Sequence, residues 1–272
     1  MSVQTQRKQV TVTTLRKMKR EHEKITSLTA YDASFSALLD DAGVDVILVG
    51  DSLGMVIQGH DTTVPVTLDD MIYHSRAVAR RCQHALLMVD MPFMSYTSAT
   101  HALESAARLM QEGGAQMVKL EGDGRQVKTV ARLAEQGVPV CAHIGLQPQQ
   151  IHKLGGYRVQ GRGEKQAEAM LIDAVALERA GADAILLECV PDALAAEITA
   201  QLEIPVIGIG ASGRCDGQVL VLQDILGITP GKAPRFAKNF MQDTGSIQGA
   251  VEAYVKAVKS GQFPASEHLF KT

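Results

Sequence analysis

The chain has 272 residues, 46% of them hydrophobic, and a formal net charge of −3. That supports a large core and offers no basic stripe for nucleic acid or an anionic membrane. No apolar run approaches the roughly 20 residues of a membrane span, and Trp is absent with aromatics at 4%, which argues against a stacking surface for single strands.

The N-terminus, MSVQTQRKQVTVTTLRKMKR, is polar and basic without the apolar segment of a secretory signal. Residues 1–10 are expected to be a flexible tail ahead of one domain over 11–272. Cys82, Cys141, Cys189 and Cys215 lie far apart with no C-x-x-C spacing. They read as reduced thiols of a cytoplasmic protein rather than as a disulfide or zinc framework.

Apolar runs and helical patterns then alternate. KITSLTAYD (24–32) reads as the first strand. LLDDAGVDVILVGD (38–51), MQEGGAQMVKLEG (110–122) and LERAGADAILLEC (177–189) repeat one unit: a helix end, a glycine suited to the left-handed conformation, an apolar strand and a closing acid. ALLMVDMPF (85–93), VPVCAHIGL (138–146) and IPVIGIGA (204–211) are further strands, while QVLVLQD (218–224) suits strand or helix. Helices are expected over 67–81, where Thr67 and Asp70 form a capping-box start, and over 98–112, 124–136, 164–180, 192–202 and 246–261. Strands this apolar are buried on both faces, as in parallel sheets. Eight β/α units in about this length favour a (β/α)8 TIM barrel over an open doubly wound sheet.

Barrel active sites lie at the C-terminal strand ends. Here those ends carry Asp32, Asp51 with Ser52, Asp90, Lys119 with Glu121, His143, Glu188 and the glycines of 208–213. Asp51 and Asp90 end adjacent strands, and two carboxylates brought together call for a cation such as Mg2+ more than for two independent caps. Zinc is disfavoured for lack of a His or Cys pair at ligand spacing. Lys119 and Glu121 share a strand face: either they pair with each other, or Lys119 meets substrate charge while Glu121 sits near the metal. Glu188 has apolar neighbours whose packing would raise its pKa, as a general base needs. It could instead cap the helix from Pro191. His143 is an orienting donor or a satisfied strand-end group. The loop GGYRVQGRGEKQAE (155–168) could cradle an anion, close as a lid or meet another subunit.

The stretches TAYDASFS (29–36), VGDSLGMVIQGHDTTVPVTLDDM (49–71), VDMPFMSY (89–96), VKLEG (118–122), HIGLQPQ (143–149), GGYRVQGR (155–162), LLECVP (186–191), IPVIGIGA (204–211), DGQVLVLQDILGI (216–228) and FAKNF (236–240) resemble the ketopantoate hydroxymethyltransferase family. The resemblance covers nearly the whole chain in order. One departure is ASGRCDG (211–217), where Ser212 stands at the family's glycine position and Gly213 follows. The resemblance implies a TIM barrel of the phosphoenolpyruvate/pyruvate type. It implies transfer of a hydroxymethyl group from 5,10-methylenetetrahydrofolate to 3-methyl-2-oxobutanoate through a Mg2+-stabilised enolate, giving 2-dehydropantoate for pantothenate. It further implies one Mg2+ per subunit and a homo-oligomer, commonly a decamer. By the same resemblance Asp51 and Asp90 hold the metal with Glu121 in or near its shell. Asp51, Ser52, Asp90 and Lys119 bind the substrate, Glu188 accepts the proton, and His143 supports. A metal-dependent lyase or mutase of 2-oxo acids is the alternative, and a barrel that binds 2-oxo acids without chemistry is a third reading.

Overall fold

Eight parallel strands close into a barrel in chain order: β1 (Ile25–Thr29), β2 (Val46–Val49), β3 (Leu86–Asp90), β4 (Met117–Glu121), β5 (Val140–Gly145), β6 (Ala184–Glu188), β7 (Val206–Ile209) and β8 (Gly217–Leu220). β8 pairs back to β1, so no sheet edge is left open. The structure, a computed structural model, describes residues 7–229 and 231–271. The expected tail therefore falls outside the described residues over 1–6. Of its remainder, Arg7 donates to the carbonyls of Asp40 and Val44, and Val10 is buried.

The helices follow the strands around the outside: α1 (Val12–Arg20), α2 (Ala33–Asp41), α3 (Leu53–Val56), α4 (Leu68–Ala79), α5 (Ala99–Gln111), α6 (Val127–Glu135), α7 (Ile151–Leu154), α8 (Glu164–Arg179), α9 (Asp192–Gln201), α10 (Leu222–Leu226), α11 (Met241–Thr244) and α12 (Ile247–Lys259). α4 starts with the expected reciprocal box: Thr67 accepts from Asp70 N–H and Asp70 accepts from Thr67 N–H. Gly43, Gly114 and Gly181, the glycines of the repeated unit, all have positive φ. QVLVLQD divides between both readings, its first half lying in β8 and its second in α10. α12 locks the barrel seam, since the buried Tyr254 hydroxyl lies 2.9 Å from the carbonyls of Ser27 in β1 and Gln218 in β8. Among the described residues no helix is long and apolar enough to cross a membrane.

Side chains alternate between the lumen and the helices along each strand. In β4 this sends Lys119 and Glu121 inward, and in β5 and β6 His143 and Glu188. Cross-strand register then sets the layers. Asp90 is level with Lys119, Glu121 with His143, and Gly145 with Glu188.

Candidate active site

A cavity of about 440 Å³ opens at the C-terminal end of the barrel. Asp51, Ser52, Asp90, Lys119, Glu121, His143 and Glu188 all line it, so the structure brings together every residue singled out from the strand ends except Asp32 and the glycines of 208–213. Asp32 is exposed and caps α2, accepting from the N–H groups of Ser34 and Phe35.

Asp51 leaves β2 after Gly50. Its backbone N–H donates to Asp90 Oδ2 at 3.1 Å, which ties the second strand end to the third. Lys119 Nζ lies 2.8 Å from Asp90 Oδ1, not paired with Glu121. The reason is distance: cross-strand neighbours stand about 4.8 Å apart, whereas alternate residues of one strand stand about 6.6 Å apart. The angle of this ion pair leaves Oδ1 buried without a directed hydrogen bond. Ser52 Oγ exchanges a hydrogen bond with Tyr31 Oη at 2.9 Å.

Gln149 escaped the sequence reading, though it ends the HIGLQPQ stretch. Its side-chain amide donates to Asp51 Oδ2 at 2.8 Å and to the Met91 carbonyl at 2.9 Å. Its backbone N–H donates to Glu121 Oε2 at 3.1 Å, and its amide oxygen accepts from the Tyr96 hydroxyl. One residue thus orients two of the acids. The available signal was a polar side chain in the loop directly after a barrel strand.

Burial, and then the Asp90 charge, pushes the Asp51 carboxyl above its ordinary range. Burial and the Asp51 charge push Glu121 well above. For Lys119 burial pulls the other way but is outweighed by Asp90, Glu121 and Asp51, so the ammonium is held charged. Burial, followed by the Lys119 charge, holds His143 well below its usual value and therefore neutral. His143 Nδ1 lies 3.3 Å from Lys119 Nζ. An ammonium can only donate, so Nδ1 must carry the lone pair and Nε2 the proton. That Nε2 sits 3.3 Å from Glu188 Oε2. In this geometry Nε2 makes no directed hydrogen bond to Glu188 and is left buried without a partner.

Glu188 is pushed up to about 7, by burial opposed only by Lys119. It does not cap α9, whose first turn has no side-chain cap. Ser212 replaces a glycine without strain: its Oγ donates to Asp192 Oδ1 at 2.5 Å and accepts from Arg214 N–H at 3.1 Å. Neither Ser212 nor Gly213 has positive φ, so glycine's freedom is not required at either place. From the 155–168 loop, Tyr157 reaches the cavity wall, with its hydroxyl 3.4 Å from Met55 Sδ.

A parallel (β/α)8 barrel with an acid-lined cavity at its C-terminal mouth defines an enzyme of the TIM-barrel class. The same fold is seen in phosphoenolpyruvate phosphomutase from Streptomyces platensis subsp. rosaceus, with a TM-score of 0.61 at 14% identity over 93% of this chain and 95% of that one. The family model for ketopantoate hydroxymethyltransferase matches residues 9–266, and the chain belongs to that family. The 3-methyl-2-oxobutanoate hydroxymethyltransferase of Alkalilimnicola ehrlichii is 64% identical over 264 residues, covering 97% of this chain and 95% of the relative. That of Halorhodospira halophila is 58% identical over 262 residues, covering 96% and 95%.

Proposed function

We propose that this hydroxymethyltransferase takes its one-carbon unit from 5,10-methylenetetrahydrofolate and adds it to 3-methyl-2-oxobutanoate, with Mg2+ held by Asp51 and Asp90 and with Glu121 close by. The observation that carries this reading is the division of one cavity into two parts. A crowded set of acids, Asp51, Asp90 and Glu121, lies with Lys119 at the ends of β2 to β4, and a separate carboxyl, Glu188, lies at the end of β6 beside the neutral His143.

The residues fit a hard divalent cation. Asp90 Oδ1 is buried and meets only the Lys119 ammonium, 2.8 Å away, and Asp51 and Glu121 are raised by burial and then by each other's and Asp90's charge, a repulsion that a cation would relieve. Among the described residues no group of three or more His, Cys, Asp or Glu side chains stands arranged to hold an ion, so Asp51 and Asp90 would leave most of the shell of Mg2+ to water and substrate oxygens. When bound, the ion supplies Lewis acidity toward the keto and carboxylate oxygens of the 2-oxo acid. Ser52 offers its hydroxyl to the substrate carboxylate. Lys119 places positive charge beside the oxygens where negative charge develops. Glu188, as the carboxylate, takes the proton from C3 and frees the electron pair that forms the new C–C bond to the donor's methylene carbon. Water provides the hydroxyl oxygen as the two C–N bonds of the donor's methylene carbon break, and the proton taken from C3 and one proton of water end on the two released nitrogens. His143 Nε2, 3.3 Å from Glu188 Oε2 and without a partner of its own, would donate to the carboxylate once it turns toward the ring. Assembly into a homo-oligomer, expected as a decamer, belongs to the same reading. Exposed apolar side chains such as Tyr73, Ile172 and Ile228 supply surface for it.

The test is formation of 2-dehydropantoate from 3-methyl-2-oxobutanoate, Mg2+ and methylenetetrahydrofolate. No product with fresh donor refutes the proposal, and donor-independent cleavage of a 2-oxo acid would favour a lyase instead. Glu188→Gln should bind metal and 2-oxo acid yet lose exchange of the C3 hydrogen with solvent deuterium. Exchange at the wild-type rate would place the base elsewhere.

A further inference from the structure

The cavity is far larger than a five-carbon 2-oxo acid, and the acids at β2 to β4 occupy only part of its wall. Past β8 the wall changes character. Ile209 at the end of β7, Leu220, Val221 and Phe236 are apolar, Thr229 and Lys232 are polar, and Asp224 is the one carboxylate among them. Asp224 is only 6% exposed. Its Oδ1 accepts from Thr229 Oγ1 at 2.6 Å. Its Oδ2 has no hydrogen-bond partner among the described residues, and no Lys, Arg or His forms an ion pair with it there. Buried carboxylates are rare unless paired. The ordinary structural duty for an acid at this position is capping, but α10 has no side-chain cap. A buried carboxylate with one oxygen held by Thr229 and the other without a donor, facing a ligand cavity beside apolar side chains, calls for a flat ligand that carries N–H donors along one edge.

Resting on the function proposed above, we propose that Asp224 is the recognition residue for the pterin end of the folate donor. The ring N–H and the exocyclic amino group of an aminopyrimidinone are parallel donors that match the two oxygens of a carboxylate. The apolar side chains around Asp224 would cover the ring faces. β8 is two strands round the barrel from β2 and two from β6. A long donor anchored at Asp224 can thus lead inward to the space between Asp51 and Glu188.

The experiment compares wild type with Asp224→Asn, which keeps the shape and replaces one acceptor oxygen with a donor. The KM for methylenetetrahydrofolate should rise about 10- to 100-fold, and tetrahydrofolate binding by equilibrium dialysis should weaken by a similar factor. The KM for 3-methyl-2-oxobutanoate and the donor-free C3 deuterium exchange should stay within about twofold, which also shows that the variant is folded. Unchanged donor KM, or equal loss for both substrates, overturns the assignment. Failure of the broader reading shows in the wild type, as exchange without donor-dependent product, whereas failure of this one shows only in the variant.

Discussion

Gln149→Met tests whether a single amide holds the acid cluster in order. Methionine is close to glutamine in length and volume but can replace none of its strong hydrogen bonds. The change strips Asp51 Oδ2 of a donor at 2.8 Å and the Met91 carbonyl of one at 2.9 Å, and leaves the Tyr96 hydroxyl without its acceptor. Each buried group left unpaired costs about 1–3 kcal/mol. Local relaxation recovers part, so a net loss of about 3 kcal/mol is expected. With a urea m-value of roughly 2–3 kcal/mol/M, the unfolding midpoint falls by about 1 M at pH 7. The second consequence concerns protonation. The Gln149 bond is one of the influences that lower the Asp51 pKa, so its loss moves the carboxyl further up and its anion appears only at higher pH. Calorimetric titration with Mg2+ in the presence of 2-oxo acid should therefore show a deficit in the variant at pH 6.5 that shrinks toward pH 8.5. A stability loss below about 0.5 kcal/mol, or a binding deficit of the same size at every pH, would refute the reasoning.

Gly145→Ala should damage proton transfer while sparing the acids at β2 to β4. A Cβ there would stand 2.3 Å from the Glu188 carbonyl oxygen at a φ of +96°, so the β6 end must move. A misplacement near 1 Å costs on the order of 10²-fold in rate; C3 exchange should fall by about that factor with Mg2+ binding retained. The pH dependence of exchange should show an acid limb near 7, below which Glu188 is protonated and idle, with a plateau above it. The same raised pKa links to stability. Because the folded protein prefers the protonated Glu188, its contribution is fully present below about pH 4.5 and is lost as pH rises through about 7, a change of roughly 3 kcal/mol. Glu188→Gln removes this dependence and should denature at higher urea than wild type at pH 8 without ligands. Equal midpoints would show that Glu188 ionises without penalty.

The barrel was legible because its strands are buried on both faces and so read as near-continuous apolar runs, each broken by a polar residue at the mouth. The helix ends carried signals of their own, in Thr67 with Asp70 and in the glycines of the repeated unit. α1 was not legible: VTTLRKMKR is polar enough to pass for an extension of the tail, and what anchors it are the buried Leu15 and Met18 and the pairs of Arg16 with Asp183 and Lys19 with Asp216. Asp32 misled for a related reason. An acid after a strand is the same letter whether it turns into the lumen or back onto the next helix, and the choice is made by its φ of −150° and the free amides of α2. The Lys119 partner and the role of Gln149 depend on register and on contacts spanning 98 residues between Asp51 and Gln149, which no local pattern encodes.

The causes of the pKa shifts separate the acids by task more sharply than their positions do. Asp51 and Glu121 are raised by burial and also by neighbouring carboxylates, so part of each shift disappears once a cation neutralises the group. Glu188 is raised by burial, opposed only by the charge of Lys119. Filling the cluster with a cation leaves that burial intact, and a substrate that excludes water deepens it. Without a ligand Asp51 and Glu188 are both pushed up to about 7, and a cation held at the cluster would lower Asp51 and Glu121 first, because it would lie nearest to them. Carboxyls whose environments push their pKa values apart can hold different roles within one cavity. In the function proposed above, Asp51 with Glu121 beside it would hold charge and Glu188 would move a proton. The neutral His143 stands between them, with its lone pair toward Lys119 and Nε2 3.3 Å from Glu188, and adds a charge to neither part.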